Sequence, residues 1–213
     1  MAETTTGKRV GQVNWQEHGL VRVAEGFLPA DRFDALVAEG ELAAQRGEPY
    51  ERAETSGHRD GSFAAPAHCQ MASGGPVLEG LLYDKALLLV LRELIGMARL
   101  VPFGCAYVTY QHGDFQGLHT DDVKATLTLG VALTDNLGPM GWAPDLRAVH
   151  PDVLADVVAQ YGMFPEGDQF GVLEHPHGPG VLQGWAGYDI PHWRPPHTDQ
   201  RPARLVTLSY LDL

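Results

Sequence analysis

The residues of this chain best suited to chemistry lie in Tyr110-Gln111-His112-Gly113-Asp114-Phe115-Gln116-Gly117-Leu118-His119-Thr120-Asp121-Asp122. His119 and Asp121 stand two apart. On an extended chain such residues share a face, so an imidazole nitrogen and a carboxylate oxygen can point at one ion. Asp122 then falls on the other face, as a neighbouring or surface group. Two adjacent ligands cannot hold an ion alone, so a third must come from far along the chain. The best placed is His192, in Tyr188-Asp189-Ile190-Pro191-His192-Trp193-Arg194-Pro195-Pro196. His197 competes, but it lies only seven residues before Arg204, too few to leave one strand, turn and re-enter the next at the same height. His175 and His177 also compete, as a His-x-His set among prolines and glycines ahead of the strand. Two histidines and one carboxylate on one face suit a ferrous ion and leave coordination positions open. The chain has ten histidines, so a His-x-Asp pair alone, which a hydrogen-bonded turn also produces, says little.

Strands must carry these groups. Leu100 to Tyr110 reads as a buried strand leading into the His119 turn, and Thr126 to Leu133 alternates as its partner strand. The partner run is ended by Asp135-Asn136-Leu137-Gly138-Pro139. Upstream, residues 9–28 read as one or two short strands, with Gly19-Leu20-Val21-Arg22-Val23 alternating. Asp31 is expected to cap a helix with Phe33, Leu36 and Val37 on one face, ended by Gly47. Glu48 to Gly75 shows no clear period and reads as a long loop, either a substrate cover or a plain surface connection. Pro76 to Met97 reads as one helix, with Pro76 in its first turn and a broad leucine face. Residues 139–171 look like an insertion between the two halves of the site. Pro151 to Tyr161 has helical spacing there, and with Trp142 it either roofs the pocket or pads the outside.

The order of Tyr110, His119-x-Asp121, a distal histidine and then Arg204 resembles the Fe(II)/2-oxoglutarate-dependent oxygenases, and within them the prolyl-hydroxylase-like branch. Val181 to His192 looks like that branch's strand, turn and ligand-bearing strand, and Arg204 to Leu211 like its closing strand. The resemblance covers roughly residues 100–213, with weaker similarity around Gly26-Phe27-Leu28-Pro29. It implies a double-stranded β-helix, or jelly roll, with flanking N-terminal helices. The pattern alone gives mixed α and β with a strand-rich second half. The expected organisation is one domain over residues 1–213, with support over 9–98 and the β-helix core over 99–213.

The resemblance also implies Fe(II), O2 and 2-oxoglutarate as cosubstrate, with His119, Asp121 and His192 as the metal ligands. Tyr110 matches the tyrosine that hydrogen-bonds the cosubstrate, its plain alternative being a core aromatic. The far carboxylate of 2-oxoglutarate needs a fixed cation, which a guanidinium supplies through paired hydrogen bonds. Arg204 is expected in that role. It shares a strand face with Val206, Leu208 and Tyr210, whereas Arg201 sits in a polar turn before Pro202. The hydroxyl residue common two places after the arginine is here Val206, and Tyr110 is expected to replace it. Asp121 leaves no vacancy for a halide, which disfavours halogenase chemistry.

A net charge of −12 argues against a nucleic-acid partner, which needs a basic surface. The longest apolar run, Ala86 to Leu91, is too short to span a bilayer, and the first eight residues lack the apolar core of a signal peptide. Cys69 and Cys105 match no metal or redox spacing and read as reduced thiols of a cytoplasmic protein. The expected activity is hydroxylation of an unactivated C–H bond in a small molecule or amino acid, releasing succinate and CO2. Tyr107, Gln111, His112, Trp142, Tyr188, Trp193 and Arg194 are candidate pocket contacts. The other classes left open are a cupin-like metalloenzyme that does not use 2-oxoglutarate and a binding module on the same fold.

Overall fold

A computed structural model describes residues 14–23, 26–57, 61–122, 124–166, 170–175 and 177–213. The expectations for residues 1–8 lie outside them. The chain runs through α1 (Trp15–His18), β1 (Leu20–Arg22), α2 (Ala30–Ala44), β2 (Glu48–Arg52), β3 (Ser56–Gly57), β4 (Phe63–Ala64) and β5 (Ala67–Ser73). Next come α3 (Pro76–Leu82), α4 (Lys85–Ile95), β6 (Leu100–Tyr110), β7 (Phe115–His119), β8 (Leu127–Ala132) and β9 (Met140–Trp142). A 3-10 turn (Pro144–Leu146), α5 (Pro151–Tyr161), β10 (Leu173–His175), β11 (Leu182–Trp185), β12 (His192–Arg194) and β13 (Ala203–Asp212) complete it.

The strands form one antiparallel sheet in the order β1-β11-β8-β13-β6-β5-β7-β12-β9-β10. The sheet curls into the jelly roll expected, with β5 bridging its larger and smaller halves by pairing with both β6 and β7. Along β13, Val206, Leu208 and Tyr210 join the core beneath the helices, which also takes Leu87, Leu91 and Ile95 of α4. Burying each such leucine from water contributes about 2 kcal/mol. The residues of opposite parity on β13 face the concave side of the sheet, as alternation requires.

Several sequence expectations need correction. The stretch from Glu48 to Gly75 is no loop, since it holds β2, β3, β4 and β5. β2, which contains Pro49, lies at the sheet margin, and these polar strands carry little hydrophobic alternation to read. The helix expected over Pro76 to Met97 is two. Asp84 interrupts it and accepts from the backbone N–H groups of Ala86 and Leu87, starting α4 afresh. Asp31 lies in the first turn of α2 rather than at its cap, which is Pro29, and the helix ends at Ala44, short of Gly47. Leu127–Ala132 pairs with β11 and β13, not with β6, because β13 lies between them. Residues 139–171 are not wholly an insertion, since Met140–Trp142 is a sheet strand paired with β12 and β10.

Candidate metal centre and active site

The register of two strands places the two histidines side by side. β7 ends at His119, which pairs directly with His192 at the start of β12, and the imidazole centroids lie 4.2 Å apart. Asp121 follows the end of β7, where its backbone N–H donates to the Gly187 carbonyl at 2.8 Å. One ligand atom each from His119, Asp121 and His192 falls within 4.8 Å of the others. Asp121 Oδ1 is 3.8 Å from His119 Nε2 and 3.5 Å from His192 Nε2. The structure therefore brings these residues together as the sequence suggested, and holds the competing His197 elsewhere. His197 pairs instead with the Arg201 carbonyl, at 2.8 Å from its Nε2.

Hydrogen bonds behind the cluster set its protonation. Nδ1 of His119 lies 2.8 Å from the Gly117 carbonyl, and Nδ1 of His192 lies 2.8 Å from the Ile190 carbonyl. A carbonyl only accepts, so each Nδ1 donates and each ring turns its Nε2 toward Asp121. Burial, helped by the nearby His192, pushes the pKa of His119 down to about 3, so it is neutral at pH 7. For Asp121, burial opposes ionisation but the neighbouring His192 outweighs it. The Thr128 hydroxyl adds a 2.6 Å hydrogen bond to Oδ2, so the carboxyl stays well below its ordinary range. Two imidazoles and one carboxylate, each oriented by a backbone carbonyl or a hydroxyl, make a donor set fit for a divalent first-row metal. Trp185 packs edge-on against His192 at 5.5 Å and holds that ring in place.

The cluster opens on a cavity of about 210 Å3 inside the sheet. Tyr110, Gln116, Met140, Arg194 and Leu205 line its inner part, and Phe103, Asp122 and Ser209 also border it. Tyr110 is buried and donates from its hydroxyl to Gln116 Oε1 at 2.8 Å. Arg204, by contrast, does not line the cavity. The cavity-facing residues of β13 are Leu205, Thr207 and Ser209, and Arg204 has the opposite parity. The guanidinium in the cavity is Arg194, two residues beyond His192 on the same strand face and only 4% exposed. It donates to the Gly138 carbonyl at 2.6 Å and lies over the Tyr110 ring at 5.5 Å. Among the described residues no carboxylate pairs with it. Burial presses its pKa down, against the pull of Tyr110. An unpaired buried cation is costly, and a bound anion removes that cost.

A bulge makes this arrangement possible. Arg194 pairs with Gln116, and His192 with His119, so two residues of β12 span three of β7. Without the irregularity, Gln116 and His119 would face opposite sides of the sheet; with it, both line the cavity. Of the other pocket candidates, Tyr107 donates to Glu39 outside the cavity and Gln111 and His112 are exposed in a turn. Trp142 is buried in the core 6.2 Å from Trp185, and α5 packs with Phe63, Leu118 and Trp193 on the outside of the sheet. The insertion helix therefore pads rather than roofs. Sequence reasoning overlooked Gln116, Thr128 and Trp185. For Arg194 the signal was present, because alternation counted from His192 puts it on the ligand face.

No family model matches the chain, and no curated protein matches it. Solved structures do. The fold is similar to that of the non-heme α-ketoglutarate-dependent epimerase SnoN from nogalamycin biosynthesis, at 16% identity and a TM-score of 0.67, over 93% of this chain and 80% of that one. It is similar to a Pseudomonas putida prolyl-4-hydroxylase at 16% identity and a TM-score of 0.59, over 93% and 95% of the two chains. It is also similar to HygX from Streptomyces hygroscopicus with nickel, 2-oxoglutarate and hygromycin B bound, at 11% identity and a TM-score of 0.67, over 92% and 84%. The shared feature is the fold.

Proposed function

We propose that this chain is an Fe(II)- and 2-oxoglutarate-dependent oxygenase, carried by one domain, that hydroxylates a C–H bond of a small molecule. One observation carries the reading. A His-carboxylate-His cluster and a buried guanidinium, which no carboxylate pairs among the described residues, occupy a single cavity. A metal alone explains the cluster but not the arginine, whereas a metal with a dicarboxylate explains both. His119, Asp121 and His192 would hold Fe(II). Arg194 would hold the far carboxylate of 2-oxoglutarate, and Tyr110 and Gln116 would shape the space beside it. When bound, iron and 2-oxoglutarate supply with O2 an oxidant for unactivated C–H bonds, releasing succinate and CO2. The chain's own part is to aim both imidazole Nε2 atoms at the metal, hold the carboxylate ionised and wall the chelate with apolar side chains.

The solved structures of like fold support this reading, since one of them holds nickel and 2-oxoglutarate together with the small molecule hygromycin B. The free cysteines Cys69 and Cys105 suit a reducing, cytoplasmic setting, and among the described residues no helix is long and apolar enough to cross a membrane. Anaerobic addition of Fe(II) and 2-oxoglutarate should develop the visible charge-transfer band of the chelate. His119→Ala, Asp121→Ala and His192→Ala should each abolish that band, while His197→Ala should keep it. Recovery of activity by Zn(II) in place of Fe(II) would sink the reading. With isotopically labelled O2, a hydroxylated product carries one labelled oxygen. A product without label would instead mean desaturation, ring closure or epimerisation.

A further inference from the structure

The metal cluster has a second open side. A cleft of about 280 Å3 shares His119, Asp121 and Gln116 among its lining with the cavity that holds Arg194, and Tyr50, Arg52 and Thr120 belong to its wall alone. That volume suits a small ligand. The cleft is built largely by strands absent from the sequence expectation. Tyr50 and Arg52 stand two apart on β2 and turn inward, while Glu51 between them points out and meets His68 at 3.2 Å.

Arg52 is held but not neutralised. One terminal nitrogen donates to the Ala65 carbonyl at 2.8 Å, and the other donates to the Tyr50 hydroxyl. The guanidinium carbon lies 5.5 Å from the Tyr50 ring centre. These contacts fix a side chain that would otherwise be mobile and leave its other N–H groups for a ligand. Among the described residues no carboxylate pairs with Arg52, although the chain carries 27 acidic residues. The acids nearest in the cleft are engaged elsewhere, Asp121 by Thr128 and the metal cluster, Asp122 by the backbone N–H of Lys124. Arg194 lines the other cavity and not this cleft, and Arg52 lines this cleft and not the other cavity.

We propose that the cleft receives the substrate of the reaction through an oxyanion, a carboxylate or phosphate, paired to Arg52, which places the rest of the molecule beside the metal cluster. The proposal rests on the oxygenase reading for its chemistry, but the anion site is read independently of it. Arg52 acts here as a positioning and specificity residue.

The test is calorimetric titration of the full chain, as purified and again with Fe(II) and 2-oxoglutarate under anaerobic conditions. The probes are N-acetyl amino acids against their methyl esters, and phenyl phosphate against phenol. An anion should bind at least about tenfold more tightly than its neutral counterpart, as one partly buried charge pair allows. The better-bound series distinguishes carboxylate from phosphate. Arg52→Ala should erase the preference and Arg52→Lys should keep part of it. Both variants should hold 2-oxoglutarate affinity and melting temperature close to wild type, which a purely structural arginine would not. Bound anion should also perturb the chelate band in wild type but not in Arg52→Ala. Equal binding of neutral and anionic probes, an unchanged preference in Arg52→Ala, or binding of no anion overturns the proposal. Absence of the chelate band in wild type overturns the oxygenase reading instead, and calorimetry still decides on Arg52.

Discussion

At the scale of single residues, the site depends on which of several similar side chains faces inward. Arg194 and Arg204 are both arginines on strands of the sheet, yet of the two only Arg194 lies in the cavity, buried and with no carboxylate partner among the described residues. Removing one partner of a buried charge pair costs about 2–5 kcal/mol, so Arg194→Ala should weaken 2-oxoglutarate binding at least ~30-fold. Arg204→Ala should change it only a few-fold. Titrating the anaerobic chelate band in both variants separates the two, and a large loss confined to Arg204→Ala would restore the assignment made from sequence. Gly187 is a second residue with a narrow role. Its carbonyl receives the Asp121 backbone, and a Cβ there would overlap Asp121 Oδ2 and crowd Thr128 Oγ1. Gly187→Ala should therefore lower iron affinity without unfolding the protein. Metal content after dialysis, set against an unchanged far-UV spectrum, checks this.

At the scale of elements, the helices brace the larger half of the sheet, and Asp84 sets how they do so. Its carboxylate caps α4 and also accepts from Arg32 of α2 at 2.6 Å, tying two helices at one point. Losing the cap and this partly exposed pair should destabilise Asp84→Ala by about 1–2 kcal/mol in urea unfolding, with the chelate band unaltered. Burial opposes ionisation of Asp84, but the Leu87 backbone N–H and Arg32 outweigh it, so its pKa is lowered from the ordinary 3.8. A carboxylate depressed in the folded state contributes its full stability above the unfolded value and loses it as pH falls through the folded one. The difference between wild type and Asp84→Ala should hold from neutral pH to about 4 and shrink in stronger acid. A difference that stays constant to pH 2 would mean the carboxylate charge plays no part. The single helix read from sequence over Pro76 to Met97 missed this break, because the leucine face continues across it and masks the local cap that Asp84 supplies.

At the scale of the whole molecule, β7 and β12 of the smaller sheet half carry the proposed metal ligands, and the larger half carries the apolar core under the helices. A ligand that binds only the folded chain stabilises it, by about 2.7 kcal/mol at a hundredfold excess over its dissociation constant. Fe(II) should thus raise the melting temperature, and 2-oxoglutarate should raise it further only when metal is present. Asp121→Ala should abolish both increments. A rise with 2-oxoglutarate alone, equal in wild type and Asp121→Ala, would place its binding away from the cluster. Much of this architecture was legible beforehand. Leu100–Tyr110 and Pro151–Tyr161 match their sequence boundaries, and the His119, Asp121, His192 set was chosen from spacing and local context. Local alternation and helical period depend only on neighbours along the chain, so sequence determined those elements and the parity of each side chain within its strand. What it did not determine was which face of a strand the closed sheet turns inward, since β13 buries both. The bulge between β7 and β12, the passage of β5 between sheet halves, and the inward turn of Arg52 arise from pairing between distant segments. Only the tertiary structure decided them, because a strand's inner face is set by its partners across the ladder and not by its own residues.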